Sequence, residues 1–258
     1  MCIRDRSYLW RNIAPHVEEM GRVVIPDLIG MGDSEKLDGV DNEGYKYHGQ
    51  YGYLTGLLEN LDLGNDIHLI IHDWGSAMGF QFARENPDRV KSITYMEAIV
   101  MPLTWEQWPD AATKIFQLFR SDAGEELVLE KNFFVERILL ADSATGYTDE
   151  EKAEYIRPFL EEGEDRRPTL TWPRQIPLDG EPNAVVEEVR KNAEFHKDSE
   201  IPKLFINANP GSILVGEQRE FARTWKNQTE ITVSGNHFIQ EDSSEEIGTA
   251  LRDFVKAL

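Results

Sequence analysis

Short apolar runs alternate with helical segments along the chain, and this alternation limits the possible fold more than any other feature. The apolar run at residues 67–71 leads through a turn at 72–75 into a helical segment that ends before Pro87. The same order of strand, turn and helix returns at 90–96 and again after residue 200. Because such alternation is typical of a mostly parallel sheet covered by helices, the sequence predicts an α/β fold.

The apolar spacing also indicates where the regular elements lie. We expect strands at 22–26, 67–71, 90–96, 203–206 and 230–233, and helices at 47–61, after the turn at 72–75, at 216–225 and from Ser243 onward.

Between residues 102 and 199 the strand pattern disappears and the apolar residues take helical spacing, at 110–120, 125–140 and 149–160. Residues 172–177 are rich in proline and are predicted to form a rigid loop. We therefore predict a core domain of residues 7–101 and 200–258, into which residues 102–199 are inserted as a helical cap.

The charge balance excludes several classes of partner. The chain has 258 residues, with 27 Lys and Arg against 47 Asp and Glu, so its formal net charge is −20. Such a surface repels nucleic acids and anionic membranes. No apolar run approaches the roughly 20 residues that a membrane span needs, and we expect a cytoplasmic protein. The single cysteine, Cys2, has no partner for a disulfide or zinc site, so we predict no metal.

Asp73 occupies the position that most suggests chemistry. It follows a five-residue apolar strand and precedes Trp74, Gly75 and a helix, which is the position of the nucleophile elbow in α/β-hydrolases. The helix N-terminus at such a turn stabilises an anionic side chain and a developing oxyanion. The alternative is that Asp73 is only a helix N-cap, and the turn alone does not decide between the two.

A carboxylate nucleophile of this kind needs a histidine and an acid that orients it. Among the six histidines His237 is best placed, because it follows the last predicted strand and precedes the last helix. The strand that ends at residues 206–210 carries no carboxylate, whereas Glu97 ends the strand after the elbow. Since a buried acid is costly unless it is paired, Glu97 is the candidate acid, with a structural salt bridge as its alternative role.

These residues stand in segments that resemble the haloalkane dehalogenases. The resemblance runs from Ser7 to the C-terminus and includes the motifs DLIGMGDS (27–34), HDWGS (72–76), YMEAI (95–99), RPTLTWP (167–173) and HFIQED (237–242). It looks closest to the branch that degrades hexachlorocyclohexane products, to which the sea-pansy type luciferase is related. The resemblance implies an α/β-hydrolase fold with a helical cap and no cofactor.

The resemblance also implies a role for each candidate residue. The residue matching Asp73 displaces halide from a small apolar halogenated substrate and forms an alkyl ester, which the His237–Glu97 pair hydrolyses with water. A carboxylate suits this step because it is already anionic at neutral pH and its ester has a carbonyl carbon that water can attack. Trp74 matches the indole that stabilises the leaving halide, and Phe116 and Phe134 match pocket positions.

The chain departs from the family at its N-terminus. Three further strands and a His-Gly-Asn-Pro loop, whose Asn is the second halide donor, precede Ser7 in the family and are absent here. Residues 1–6 do not resemble the family, and we interpret them as non-native sequence. We therefore expect the first strands of the fold to be missing and the 258-residue chain to be a poor enzyme. Smaller departures lie at Leu140 and at 212–217.

Several functions remain open at this point. The favoured hypothesis is hydrolytic dehalogenation of haloalkanes. The alternatives are a luciferase-like monooxygenase acting on an imidazopyrazinone, and an inactive or binding-only fragment. An epoxide hydrolase would need tyrosine donors in the cap, and only Tyr147 or Tyr155 could serve.

Overall fold

The computed structural model describes residues 2–3, by their backbone alone, together with residues 6–38 and 43–258. Within these residues, five strands form one parallel sheet: β1 (Cys2–Ile3), β2 (Ile67–Asp73), β3 (Val90–Ala98), β4 (Lys203–Pro210) and β5 (Gln228–Gly235). The strands lie in chain order, β1-β2-β3-β4-β5. The predicted parallel α/β sheet is confirmed.

Helices alternate with these strands. They are α1 (Tyr47–Asn60), α2 (Trp74–Glu85), α3 (Asp110–Phe119), α4 (Asp149–Ile156), α5 (Arg167–Gln175), α6 (Asn183–Asp198), α7 (Gly216–Arg223), α8 (Ile239–Asp242) and α9 (Ser244–Lys256). Two π-helical segments, Glu125–Glu130 and Phe134–Leu139, lie between α3 and α4. We call residues 102–199, which hold α3 to α6 and both π-helical segments, the helical insertion. No helix in the described part of the chain combines the length and apolarity that crossing a membrane requires.

The strands β2, β3 and β4 are mostly buried on both faces, which explains the apolar runs that mark them in the sequence. Successive side chains of a strand point to opposite faces. Ile71 accordingly packs in the larger apolar cluster with Phe80 of α2, whereas its neighbour Ile70 packs in a second cluster with Leu251 of α9. The alternation therefore places α2 and α9 on opposite sides of the sheet.

The strand predicted at residues 22–26 is wrong, because the structure assigns no strand there. Among the residues that the structure describes, the strand next to β2 on the side away from β3 is β1, which spans two residues. A strand needs a neighbouring backbone to satisfy its N–H and C=O groups, and β1 offers too little of it. The β-branched run at residues 22–26 is therefore half-buried and does not form a strand of the sheet.

The proline-rich loop predicted at 172–177 is also wrong over most of its length, because α5 continues to Gln175 with Pro173 inside it. Pro168 fits the first helical turn, where a missing N–H costs nothing. Pro173 lies in the second half of a nine-residue helix, so it removes few backbone hydrogen bonds. Arg120 donates to the carbonyl of Ile176 at 2.8 Å and compensates at the helix end.

The contact between α2 and β2 leads to a prediction about stability. A Cβ atom added at Gly79 of α2 would lie 2.6 Å from Cγ2 of Ile71. Gly79→Ala should therefore overpack the core and lower the free energy of unfolding by about 1–3 kcal/mol, measured by urea denaturation. Gly52 of α1 is the matched control, because nothing lies within 4 Å of its added Cβ.

For Gly52→Ala we expect no loss, and a gain of up to about 1 kcal/mol, because alanine restricts the unfolded chain and favours the helix. Equal free energies of unfolding for the two variants would contradict the close contact between α2 and β2.

Candidate active site

The elbow at Asp73 has a strained backbone. Asp73 ends β2 with φ of 48° and ψ of −129°, and α2 begins at the next residue. Ser76 holds the turn, since its hydroxyl donates to the carbonyl of Asp73 and accepts from the N–H of Ile99 at 2.9 Å. The carboxylate of Asp73 makes no capping hydrogen bond to α2, so the N-cap alternative does not describe it. The strained turn instead presents the carboxylate at the end of the sheet.

Glu97 occupies an irregularity in the next strand. The pairing of β2 with β3 passes from His72 opposite Met96 directly to Asp73 opposite Ala98, so Glu97 is the extra residue of a bulge. Its φ is 38° and it is 1 % exposed. Oε2 of Glu97 accepts the backbone N–H groups of Ser212 at 2.9 Å and Ile213 at 2.7 Å. The bulge thus turns a buried carboxylate toward the loop after β4.

His237 lies between the two carboxylates, in the loop after β5. Its Nδ1 is 3.3 Å from Oε2 of Glu97, and its Nε2 is 3.7 Å from Oδ2 of Asp73. Nε2 of His72 lies 2.8 Å from the carbonyl oxygen of His237, which can only accept, so His72 donates there. The structure therefore brings Asp73, His237 and Glu97 together from the ends of three strands.

The neighbouring carboxylates control the protonation of His237. Burial lowers the pKa of its imidazole, but hydrogen bonds and charge from Asp73 and Glu97 outweigh burial and raise the pKa. The two carboxylates therefore favour the protonated ring. Neutralising Asp73, for example by esterification, would remove one anion and lower the pKa of the ring, so that the neutral form that can accept a proton becomes more populated.

A largely apolar cavity of about 440 Å³ adjoins these residues. Trp74 lines it and stacks on Trp172, with ring centroids 4.7 Å apart. Phe116 and Phe134, the two aromatic residues expected at the pocket, both line it. The ionisable residues along its wall are Asp73, Asp142 and His237.

Asp142 is a neighbour of the site that the sequence did not indicate. Its Oδ2 accepts the backbone N–H groups of His237 at 2.7 Å and Phe238 at 3.1 Å, and burial raises the pKa of its carboxyl. It lies in an irregular segment without periodicity or motif, and its contacts are to backbone N–H groups distant in sequence. No signal in the sequence could have identified it.

The remaining histidines have structural partners or lie elsewhere. His196 is buried, and its Nε2 donates to the carbonyl of Phe80 at 2.9 Å. His68 contacts the hydroxyl of Ser92 at 2.7 Å. In the described residues, His, Cys, Asp and Glu form no group of three or more that could hold a metal ion.

The charge arrangement around His237 can be tested directly. Asp73→Asn and Glu97→Gln should each lower the pKa of the His237 imidazole toward its ordinary value of about 6.5, because each removes an anion that favours the protonated ring. The pKa is measured by NMR titration of the labelled imidazole. Glu136→Gln, which removes an exposed carboxylate of the helical insertion, is the control and should leave it unchanged. A pKa that is insensitive to both site substitutions would contradict the arrangement.

Known proteins share this architecture. A family model for the α/β-hydrolase fold matches residues 5–244. A haloalkane dehalogenase of Sphingobium indicum is 54% identical over 252 residues, which cover 98% of this chain and 85% of that protein. The coelenterazine h 2-monooxygenase of Renilla reniformis is 42% identical, over 97% of this chain and 80% of that protein.

A solved structure agrees with these sequence relatives. The crystal structure of haloalkane dehalogenase DbeA from Bradyrhizobium elkani matches with a TM-score of 0.92 and 35% identity, over 98% of this chain and 87% of that one. The chain therefore belongs to the α/β-hydrolase fold family and, within it, to the haloalkane dehalogenases, hydrolases that act on carbon–halide bonds.

Proposed function

We propose that Asp73, His237 and Glu97 carry out hydrolytic dehalogenation of a small apolar haloalkane in this cavity. The observation that carries the proposal is the position of His237, 3.7 Å from Asp73 and 3.3 Å from Glu97, beside an apolar pocket. A histidine between two carboxylates can act as the general base in the reaction of one carboxylate. The other carboxylate then stabilises the positive charge that the histidine ring acquires.

In the first step, one oxygen of Asp73 attacks the halogen-bearing carbon. The carbon–halogen bond breaks, the halide leaves with the bonding electron pair, and an alkyl ester of Asp73 remains. Trp74 donates its indole N–H to the departing halide, since it is the first residue of α2 and lines the same cavity. The apolar wall favours this step because water does not compete for the carboxylate or the halide.

In the second step, esterification has removed the charge of Asp73, so His237 releases its proton to solvent. The neutral ring then takes a proton from water as the water oxygen attacks the carbonyl carbon of the ester. The bond from this carbon to the alkyl oxygen breaks, the alkoxide takes the proton from His237 and leaves as alcohol, and the carboxylic acid of Asp73 passes its remaining proton to His237, which restores the carboxylate. Glu97 stabilises the transient imidazolium through Nδ1. The loss of charge on Asp73 in the first step thus favours the neutral ring that the second step requires.

The lining of the cavity supports a small apolar substrate. Its volume of about 440 Å³ lies in the range of ordinary small-molecule sites, and the apolar residues Phe116 and Phe134 belong to its wall. The proposal includes the division into a core of residues 7–101 and 200–258 and a cap of residues 102–199, whose residues form part of the wall. The cytoplasmic location expected from the sequence belongs to the same proposal and rests on the sequence alone.

A monooxygenase activity on an imidazopyrazinone is the second candidate, favoured by the 42% identity to the coelenterazine h 2-monooxygenase. The epoxide hydrolase alternative lacks comparable support. Tyr155 donates its hydroxyl to Glu241, and neither Tyr155 nor Tyr147 is among the described residues that line the cavity.

Bromide release from 1,2-dibromoethane tests the proposed function. Wild-type protein should release bromide continuously, whereas Asp73→Ala should release none, because the nucleophile is lost. His237→Phe should release about one bromide per active site and then stop, because the ester forms but water is not activated. Rapid-quench kinetics measure the burst, and intact-protein mass spectrometry detects the trapped ester.

Two results would contradict this assignment. Steady turnover by His237→Phe would remove His237 from its role, and light emission with coelenterazine in the absence of bromide release would favour the monooxygenase. An exposed-residue variant, Glu136→Gln, serves as the control and should keep wild-type turnover.

The proposed halide donor makes a separate prediction. Trp74→Phe retains an aromatic ring but removes the indole N–H, and it should slow the bromide burst by about 100-fold, as loss of a single anion-stabilising donor does. Trp172→Phe, which also keeps a ring in the stack, is the matched comparison. A burst rate unchanged in Trp74→Phe would show that its N–H does not contact the leaving halide.

A further inference from the structure

Beyond these roles, the structure connects the loop of His237 to the helical insertion through a second carboxylate. We propose that Asp142 is a positioning residue that holds this loop so that the His237 ring faces both Asp73 and Glu97. The inference rests on the proposed function, because it concerns how His237 is presented for the second step.

The contacts of Asp142 reach His237 and the residue on either side of it. Its Oδ2 accepts the N–H groups of His237 at 2.7 Å and Phe238 at 3.1 Å. Its own carbonyl accepts from the side-chain amide of Asn236 at 2.9 Å. Three consecutive residues, none of them in a strand or helix, are thus fixed by one residue of the helical insertion.

The same carboxylate also connects to the loop that holds the acid. The hydroxyl of Ser212 lies 3.4 Å from Oδ1 of Asp142, and the N–H of Ser212 donates to Glu97 at 2.9 Å. Because Glu97 contacts Nδ1 of His237, the four residues form a closed ring of contacts. Removing the Asp142 side chain breaks this closed set of contacts at the backbone of His237.

A second acidic residue makes the reciprocal connection. Asp242, at the end of α8, accepts from the hydroxyl of Ser143 at 2.9 Å and from the N–H of Thr145 at 3.2 Å. Its other oxygen accepts the N–H of Asn236 at 3.4 Å. Hydrogen bonds to Asp142 and to Asp242 therefore connect the segment around Asp142 with the segment around His237.

Asp142 does not replace Glu97 as the acid of the site. The Asp142 oxygens contact backbone N–H groups of the His237 loop, whereas Nδ1 of the ring faces Glu97. Asp142 is therefore assigned to the position of the ring and not to the transfer of its proton. Because His237 acts after halide has left, displacement of the ring should slow ester hydrolysis and spare the first step.

The test compares Asp142→Leu, Asp142→Asn and the control Asp122→Leu, which removes an exposed carboxylate of the helical insertion. Asp142→Leu should lower steady-state bromide release about 10- to 100-fold while a burst of about one bromide per active site remains. Asp142→Asn should recover part of the turnover, because its amide oxygen still accepts one or both N–H groups. The burst amplitude counts folded sites, so misfolding alone would lower burst and turnover together and would overturn the proposal.

Hydrogen exchange provides a readout that needs no substrate. In Asp142→Leu the backbone amides of His237 and Phe238 should exchange faster than in wild type, measured by mass spectrometry on the peptide that contains them. If the wild-type chain released no bromide, the proposed function would fail, and amide exchange alone would decide whether Asp142 holds the loop. Unchanged turnover in an active protein, or unchanged exchange, would overturn the inference.

Discussion

The need to pair the buried carboxylate of Glu97 organises this end of the molecule. An ionised carboxylate removed from water is stable only when donors surround it, and Oε2 of Glu97 receives two backbone N–H groups besides the contact with His237. These donors require the β3 bulge and the tight loop after β4. Gly211 in that loop has φ of 76°, and a Cβ there would lie 2.9 Å from Oε1 of Glu97. The backbone geometry of β3 and of the loop after β4 and the pairing of the Glu97 carboxylate therefore depend on each other.

The same pairing links protonation to chemistry. The charges of Asp73 and Glu97 favour the protonated ring of His237, which cannot accept a further proton. Displacement of halide would convert Asp73 to a neutral ester, so the first step itself would prepare His237 for the second. The order of events is then built into the electrostatics of three side chains and needs no large movement of the chain.

Much of this arrangement could be predicted from local sequence. The runs at 67–71 and 90–96 identified β2 and β3, and the acidic residues that follow them identified Asp73 and Glu97. The predictions failed where the outcome depended on distant chain. The run at 22–26 has strand composition but no ladder, and Pro173 continues a helix whose end is supported by Arg120. Composition cannot report whether a neighbouring backbone or a compensating donor is present.

The sequence by itself therefore determined the alternating architecture, the helical insertion and the identity of the three candidate site residues. Each of these follows from local periodicity or from residue type. Burial restricts the periodicity of apolar residues, and chemistry restricts the residue types at the site. Only the tertiary structure decided the left-handed backbone at Asp73 and Glu97, the cavity wall and the connection of Asp142 to the His237 loop. Those features arise from contacts between segments far apart in the chain, such as Glu97 and His237, which are separated by 140 residues, and packing in three dimensions alone brings such segments together.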